Sequence, residues 1–280
     1  MTRNKLEALL LRALVYLAIG ITVIALVFLL GYILIKGIPH LSPDLFALKY
    51  TSENGSLFPA MVNTVIMTLL SLLLAVPLGI FSAIYLVEYA RRGNRLVKVV
   101  RTTAETLSGI PSIVYGLFGY LLFVISLGWG YSMLAGAFTL AIMILPVIMR
   151  TTEEALKAVP DSYREGSFGL GAGKLRTVFR VILPSAIPGI LAGIVLSVGR
   201  IVGETAALIY TAGTVTDIPD SLMDSGRTLS VHMYSLWKEG MQTEKSYATA
   251  VVLLMVVVGL NALSALIARR ISRKGEKAEK

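Results

Sequence analysis

Long apolar runs separated by short clusters of charge set the pattern of this chain. Six stretches, near residues 13–35, 60–87, 106–128, 131–149, 185–210 and 248–268, are each long enough to cross roughly 30 Å of hydrocarbon as a helix. The last of these, ATAVVLLMVVVGLNALSALIA, contains one amide and no charge. The pattern therefore predicts six membrane-spanning helices and an all-α fold. The first run is longer than the apolar core of a signal peptide and no small-x-small cleavage site follows it, so it is expected to remain as a helix.

Composition agrees with that pattern. The chain is 55% apolar and only 15% charged, with a mean hydropathy of +0.75; a soluble domain of 280 residues needs more polar surface. The absence of cysteine excludes disulfides, thiolate metal sites and iron–sulfur clusters. His40 and His232 fall far apart in predicted loops, so no metal site and no cofactor are expected.

Charge placement orients the helices. Of 26 Lys and Arg residues, 20 lie in the N-terminal segment, the 88–105 loop, the 150–184 loop and the C-terminal tail. Five, Lys36, Lys49, Arg227, Lys238 and Lys245, lie in the alternate loops, and the remaining one is Arg200. This asymmetry places both termini in the cytoplasm. It also makes the net charge of +9 a topology signal, and no nucleic-acid partner is implied. The 211–247 segment is then a long outer loop. Pro77, Pro111, Pro146, Pro184 and Pro188 interrupt or open spans, and Gly189, Gly193, Gly199 and Gly203 allow close approach of the fifth helix to its neighbours.

One span is not apolar throughout. In LSVGRIVGETAAL, residues 196–208, an arginine and a glutamate stand four residues apart. At 100° per residue Arg200, Glu204, Thr211 and Gly193 share one narrow stripe. Each mid-membrane charge costs about 2.5–3.5 kcal/mol on insertion scales, so such a stripe faces protein or a water-filled route. A mutual salt bridge that only orients the bundle is the bland alternative, though Arg followed by Glu at i+4 is the weaker order on a helix. Otherwise Arg200 offers a planar fork to an oxyanion, and Glu204 holds that fork or accepts the proton of hydrogen phosphate. Arg150 and Glu153, at the end of the fourth span, form a second such pair, or simply mark the membrane boundary.

The 150–184 loop carries the class signal. GLGAGK suggests a phosphate loop but fails as one. Phe168 stands where the first glycine is needed, and Leu175 stands where Ser or Thr would bind magnesium. The segment instead reads as two short helices, the first capped by Asp161 or Ser162, broken at Gly171 and Gly173, with Pro184 opening the fifth span.

Here the chain resembles the permeases of ATP-binding-cassette importers. Their cytoplasmic loop has the form E-A-A, three residues, G, nine residues, I, one residue, L-P. Glu165, Gly171, Leu183 and Pro184 match at that spacing, with Gly166 and Ser167 in place of the alanines and Val181 in place of isoleucine. Together, LSGIPSIVYGLFG (107–119), LPVIMRTTEEALKAVP (145–160) and GRIVGETAAL (199–208) resemble phosphate-importer permeases of the PstA type, over about residues 57–268. Ala207 stands where that type more often has proline.

The resemblance implies a single permease domain over 1–280, with residues 161–184 as the coupling segment that seats in an ATPase groove. It implies a sister permease subunit (PstC-like), an ATPase dimer (PstB-like) and an extracytoplasmic phosphate-binding protein (PstS-like), with membrane lipid around the spans. It assigns Arg150, Glu153 and Arg200 to the phosphate pathway, to which the stripe adds Glu204, and it places ATP hydrolysis in the partner. A permease for sulfate or molybdate, and a membrane anchor or sensor subunit that transports nothing, are the alternative functions.

Overall fold

The computed structural model describes residues 3–91, 93–240 and 242–278, and every regular element in it is helical. Helix α1 (Arg3–Gly37) is followed by two short 3₁₀ turns and α2 (Phe58–Ile84), which ends in a π-helical turn, Tyr85–Tyr89. Next come α3 (Arg95–Ser108) and α4 (Ser112–Gly119), the latter prolonged by a π-helical turn, Tyr120–Ser126. Helix α5 (Met133–Lys157) leads to the short α6 (Asp161–Gly169) and α7 (Lys174–Thr177). A π-helical turn, Val178–Ile182, joins α7 to α8 (Leu183–Val202), and α9 (Ala206–Thr211), α10 (Leu229–Glu239) and α11 (Thr243–Ala278) complete the chain. Five helical stretches are long and apolar enough to cross a membrane, and a bent pair supplies the sixth.

That bent pair departs from the expected span at 106–128. The chain turns by 105° between Arg95–Ser108 and Ser112–Ser126. Pro111 cannot donate to the preceding turn and pushes Ile110 out of helical backbone, so α3 and α4 cannot be one straight rod. The phenol of Tyr115 donates to the carbonyl of Leu107 at 2.7 Å, tying α4 back to the last turn of α3.

Helix α5 is the centre of the bundle and packs on α2, α3, α4, α8 and α9. Met67, Leu140, Met143, Ile144, Ile201 and Leu208 are among the buried residues of its main core. A second apolar cluster, around Leu156, Val178 and Ile182, sits at the end carrying α6 and α7. A third, around Leu45, Leu57, Leu229 and Val252, sits at the opposite end. Helix α1 differs from the rest. Its apolar side chains are exposed, and it packs chiefly against α11. Exposed apolar surface of that extent suits lipid or another apolar chain, not water.

Two local features correct the sequence reading. The span at 185–210 is not continuous, because the helix stops at Val202 and restarts at Ala206. His232 lies on α10, buried, and not in a loop.

Candidate functional site

Arg200 occupies the last turn of α8, half-buried, and its side chain makes no hydrogen bond or ion pair with any described residue. Glu204 follows at the break. It is 8% exposed, and its Oε1 accepts from the backbone N–H of Ala207 at 3.0 Å, capping α9. Its own carbonyl, freed by the break, accepts from the hydroxyl of Ser230 on α10. A broken helix inside a bundle needs such substitutes for the lost ladder bonds. Gly203 weakens the helix locally, and the Glu204 carboxylate competes for the next N–H groups. The break thus occurs with no proline anywhere in residues 199–208.

The polar stripe inferred from a continuous helix is therefore corrected. Arg200 and Glu204 do not pair, and Thr211 is turned inward, bonded to the carbonyl of Ala207. Gly193 lies in the contact between α8 and α5, where a Cβ would collide with Thr151. Gly189 lies against Ala155 in the same way, whereas Gly199 and Gly203 make no such close approach.

Arg150 and Glu153 are also separated by their partners. The Arg150 Nε donates to Glu154 Oε1 at 3.0 Å across one helical turn, and both side chains are exposed. Glu153 is 7% exposed and joins two cations, Arg101 of α3 at 2.7 Å and Lys157 at 2.6 Å. Lys157 was legible as an i, i+4 partner. Arg101 was not, because it stands 52 positions upstream on a different helix.

These residues surround a cavity of about 500 Å³ between α3, α5 and α8. Arg101, Arg150 and Lys157 line it together with Glu105, Glu153 and Glu154. Leu196, one turn before Arg200 on α8, lines it as well. Cations and carboxylates are balanced there, so an anion entering it must exchange with carboxylates already in place.

The segment matching the importer loop forms an exposed knuckle. Gly171 has φ of +81°, a backbone state that other residues rarely adopt, and it turns α6 back toward α7. The hydroxyls of Ser167 and Thr177 meet across the turn at 2.8 Å. Glu165 and Pro184 are exposed and Leu183 is half-buried. Helix α6 begins after Pro160 without a side-chain cap, and Asp161 instead meets Arg164 at 3.1 Å. The chain is helical from Lys174 to Val202, so Pro184 lies inside a continuous element and does not open one. Tyr163, Phe168, Leu170 and Leu175 are exposed on this knuckle, Leu170 at 91%.

Sequence reasoning passed over Arg164. Its Nη2 meets Glu88 Oε1 at 2.7 Å and the carbonyl of Leu156 at 3.0 Å, while Nη1 donates to the carbonyl of Val159. One guanidinium thereby ties α6 to the end of α2 and to α5.

Residues 75–274 match the family described as the binding-protein-dependent transport system inner membrane component. The chain is 36% identical over 231 residues to the probable ABC transporter permease protein YqgI of Bacillus subtilis (strain 168), covering 77% of this chain and 78% of that one. It is 41% identical over 211 residues to the phosphate transport system permease protein PstA of Pasteurella multocida (strain Pm70), covering 75% of each. Its fold matches a chain of the bacterial alginate ABC transporter crystallised with a pentasaccharide-bound periplasmic protein. That match has a TM-score of 0.71 and 17% identity, and covers 96% of this chain and 97% of that one. Both sequence and fold therefore lead to one classification. The chain belongs to the binding-protein-dependent transport system inner membrane components, as a PstA-type ABC importer permease, a membrane-spanning subunit that leaves ATP hydrolysis to a partner.

Proposed function

We propose that this chain forms half of the pathway of an ATP-driven inorganic phosphate importer, one permease domain over residues 1–280 with both termini in the cytoplasm. The observation that carries the proposal is Arg200, a guanidinium with no hydrogen bond or ion pair among the described residues, at the end of a helix long and apolar enough to span a membrane. A cation there is costly unless something anionic meets it. Its planar fork suits a tetrahedral oxyanion.

Glu204 follows at the break at 203–205, with one oxygen occupied by the N–H of Ala207. The other oxygen accepts the hydroxyl proton of hydrogen phosphate, which sulfate lacks. Arg150 is the next station, reached when phosphate replaces Glu154. Glu153 acts through Arg101 and Lys157, whose positions it fixes. Two arginines at different depths divide the binding, so that the ion is admitted and then released.

A sister permease supplies the other half of the route, and an extracytoplasmic phosphate-binding protein delivers to the 211–247 loop. An ATPase dimer receives the 161–184 segment, where Glu165, Gly171, Leu183 and Pro184 match the family motif and the exposed Tyr163, Phe168 and Leu170 supply apolar contact. Arg164 passes the ATPase motion to the ends of α2 and α5.

Labelled-phosphate uptake by the assembled complex tests this. Arg200→Ala is expected to abolish uptake while the complex still reaches the membrane, and excess sulfate is expected not to compete in the wild type. Uptake unchanged by Arg200→Ala would remove the pathway assignment.

A further inference from the structure

The proposed pathway leaves a second basic cavity unused. It is a half-open cavity of about 510 Å³ between Gly93–Asn94, α3 and the end of α5, and shares Arg101, Glu105 and Lys157 with the cavity beside Arg150. Arg91, Arg95 and Lys98 also line it, and none of their three side chains forms a hydrogen bond or ion pair with any described residue. Glu105 is the one carboxylate in its lining. Glu153, behind the wall, neutralises part of Arg101 and Lys157. The Arg101 Nε is buried and has no hydrogen-bond partner.

Helix α3 explains how so much like charge comes to one wall. At 100° per residue Arg95, Lys98, Arg101 and Thr102 share one flank. Val97, Val100 and Ala104 share another and pack on the apolar cluster at this end. Leu96 and Val99 occupy the third flank, 61% and 63% exposed. A helix with separate core, basic and exposed apolar flanks suits the border between hydrocarbon and headgroups. The first turn of α3, capped by the Asn94 side chain on the N–H of Leu96, opens on the same space and adds the partial positive charge of a helix N-terminus.

We propose that this cavity is a second site for a phosphate group, separate from Arg200 and joined to the Arg150 cavity through Arg101. Unpaired cations around a half-open cavity on the basic side of a membrane protein recognise phosphate oxygens. The volume is many times the roughly 30 Å³ share of a water molecule, ample for a phosphate ion or a phosphodiester headgroup. The group comes either from the transported ion on its way out or from an anionic lipid. The first source rests on the phosphate-import reading, and the second rests only on the membrane-spanning fold.

The test uses the full chain assembled with its partners in detergent, carrying Arg200→Ala so that the first site is silent. One arm titrates it with labelled inorganic phosphate. The other equilibrates it with equal dioleoylphosphatidylglycerol and dioleoylphosphatidylcholine and weighs the retained lipid by mass spectrometry. Arg95→Gln with Lys98→Gln removes two unpaired, exposed cations without disturbing the core. Arg12→Gln is the control, on the same side but outside both the cavity and the 161–184 segment. Phosphate binding or phosphatidylglycerol preference is expected to fall about tenfold in the first variant and to hold within about twofold in the control. The arm that falls names the source.

Equal behaviour of the two variants, or no change in either arm, overturns the proposal. Loss of ATPase copurification with both arms unchanged also overturns it, making the basic flank a protein contact. Failure of the import reading shows separately, as a wild-type complex that takes up no phosphate while the lipid arm still reports.

Discussion

Arg101 of α3 reaches Glu153 of α5 with Nη2 to Oε1 at 2.7 Å, tying α5 to the helix that precedes the 105° bend at Pro111. Glu153 is 7% exposed, whereas the Arg101 side chain is 39% exposed. The pair therefore lies between a surface bridge and a buried one. Removing either partner is expected to cost about 1–3 kcal/mol, below the value for a fully buried pair. A double-mutant cycle with Arg101→Ala and Glu153→Gln, read by thermal unfolding of the solubilised chain, should show a combined loss smaller than the sum of the single losses. Strict additivity would mean the contact contributes nothing.

Glu204 has two separable duties. As a cap it supports α9 through the N–H of Ala207. As a carboxylate it is proposed to receive the phosphate proton. Glu204→Gln keeps an acceptor oxygen and is expected to leave the melting temperature within a degree or two, yet to cut phosphate uptake by tenfold or more. Glu204→Ala is expected to lose about 1 kcal/mol of stability besides. Full uptake by the glutamine variant would leave only the cap.

Arg164 holds four acceptors from three parts of the fold, among them Glu88 and the carbonyl of Leu156. Lysine keeps the charge but not the fork. Arg164→Lys is expected to leave the ATPase bound while lowering binding-protein-stimulated ATP hydrolysis. Leu170→Ser, on the exposed face, and Glu165→Ala should instead reduce ATPase copurification. The same defect in all three would assign Arg164 to docking, not transmission.

His232 is buried, and burial first, then the Arg227 charge, lowers its pKa from 6.5 to about 3, against a weak opposing bond from the Gly55 carbonyl. Tyr50 packs edge-on against its ring, at 5.9 Å between centroids, and also stacks under Arg227 at 4.6 Å. A histidine with a depressed folded pKa is neutral when folded, while the unfolded chain takes up a proton below about 6.5. Its stabilising contribution is therefore complete above 6.5 and is lost as pH falls toward 3. The slope is at most about 1.4 kcal/mol per pH unit. Melting temperatures between pH 7 and 5 should fall more steeply for the wild type than for His232→Gln. Parallel slopes would show that another group controls the acid sensitivity.

Gly116 meets α9 backbone to backbone, and a Cβ there would stand 2.8 Å from the Cα of Ala207. Main chain cannot rotate aside as a side chain can. Gly116→Ala is expected to cost about 1–3 kcal/mol and to move α9, and with it Glu204. Circular dichroism melts measure the first effect and uptake measures the second. Gly166→Ala, where a Cβ meets nothing, is the control.

Much of this molecule is legible along the chain itself. Membrane spans announce themselves in single sequence because hydrocarbon demands about twenty apolar residues in a row and forces each backbone to bond within its own segment. The 161–184 knuckle is legible for a similar reason, since Pro160 and Gly171 dictate backbone by local sterics. Spacing alone also places Lys157 beneath Glu153. What the sequence could not decide is which charge meets which. Arg200 pairs with no carboxylate among the described residues, Arg150 takes Glu154, and Glu153 reaches a helix more than fifty residues away. Nor could periodicity foresee the break at 203–205, which needs Ser230 to satisfy a freed carbonyl and Gly116 to admit α9. Ion pairs and broken helices are settled through space, by distance and desolvation among groups remote in the chain, and only the packed bundle brings those groups together.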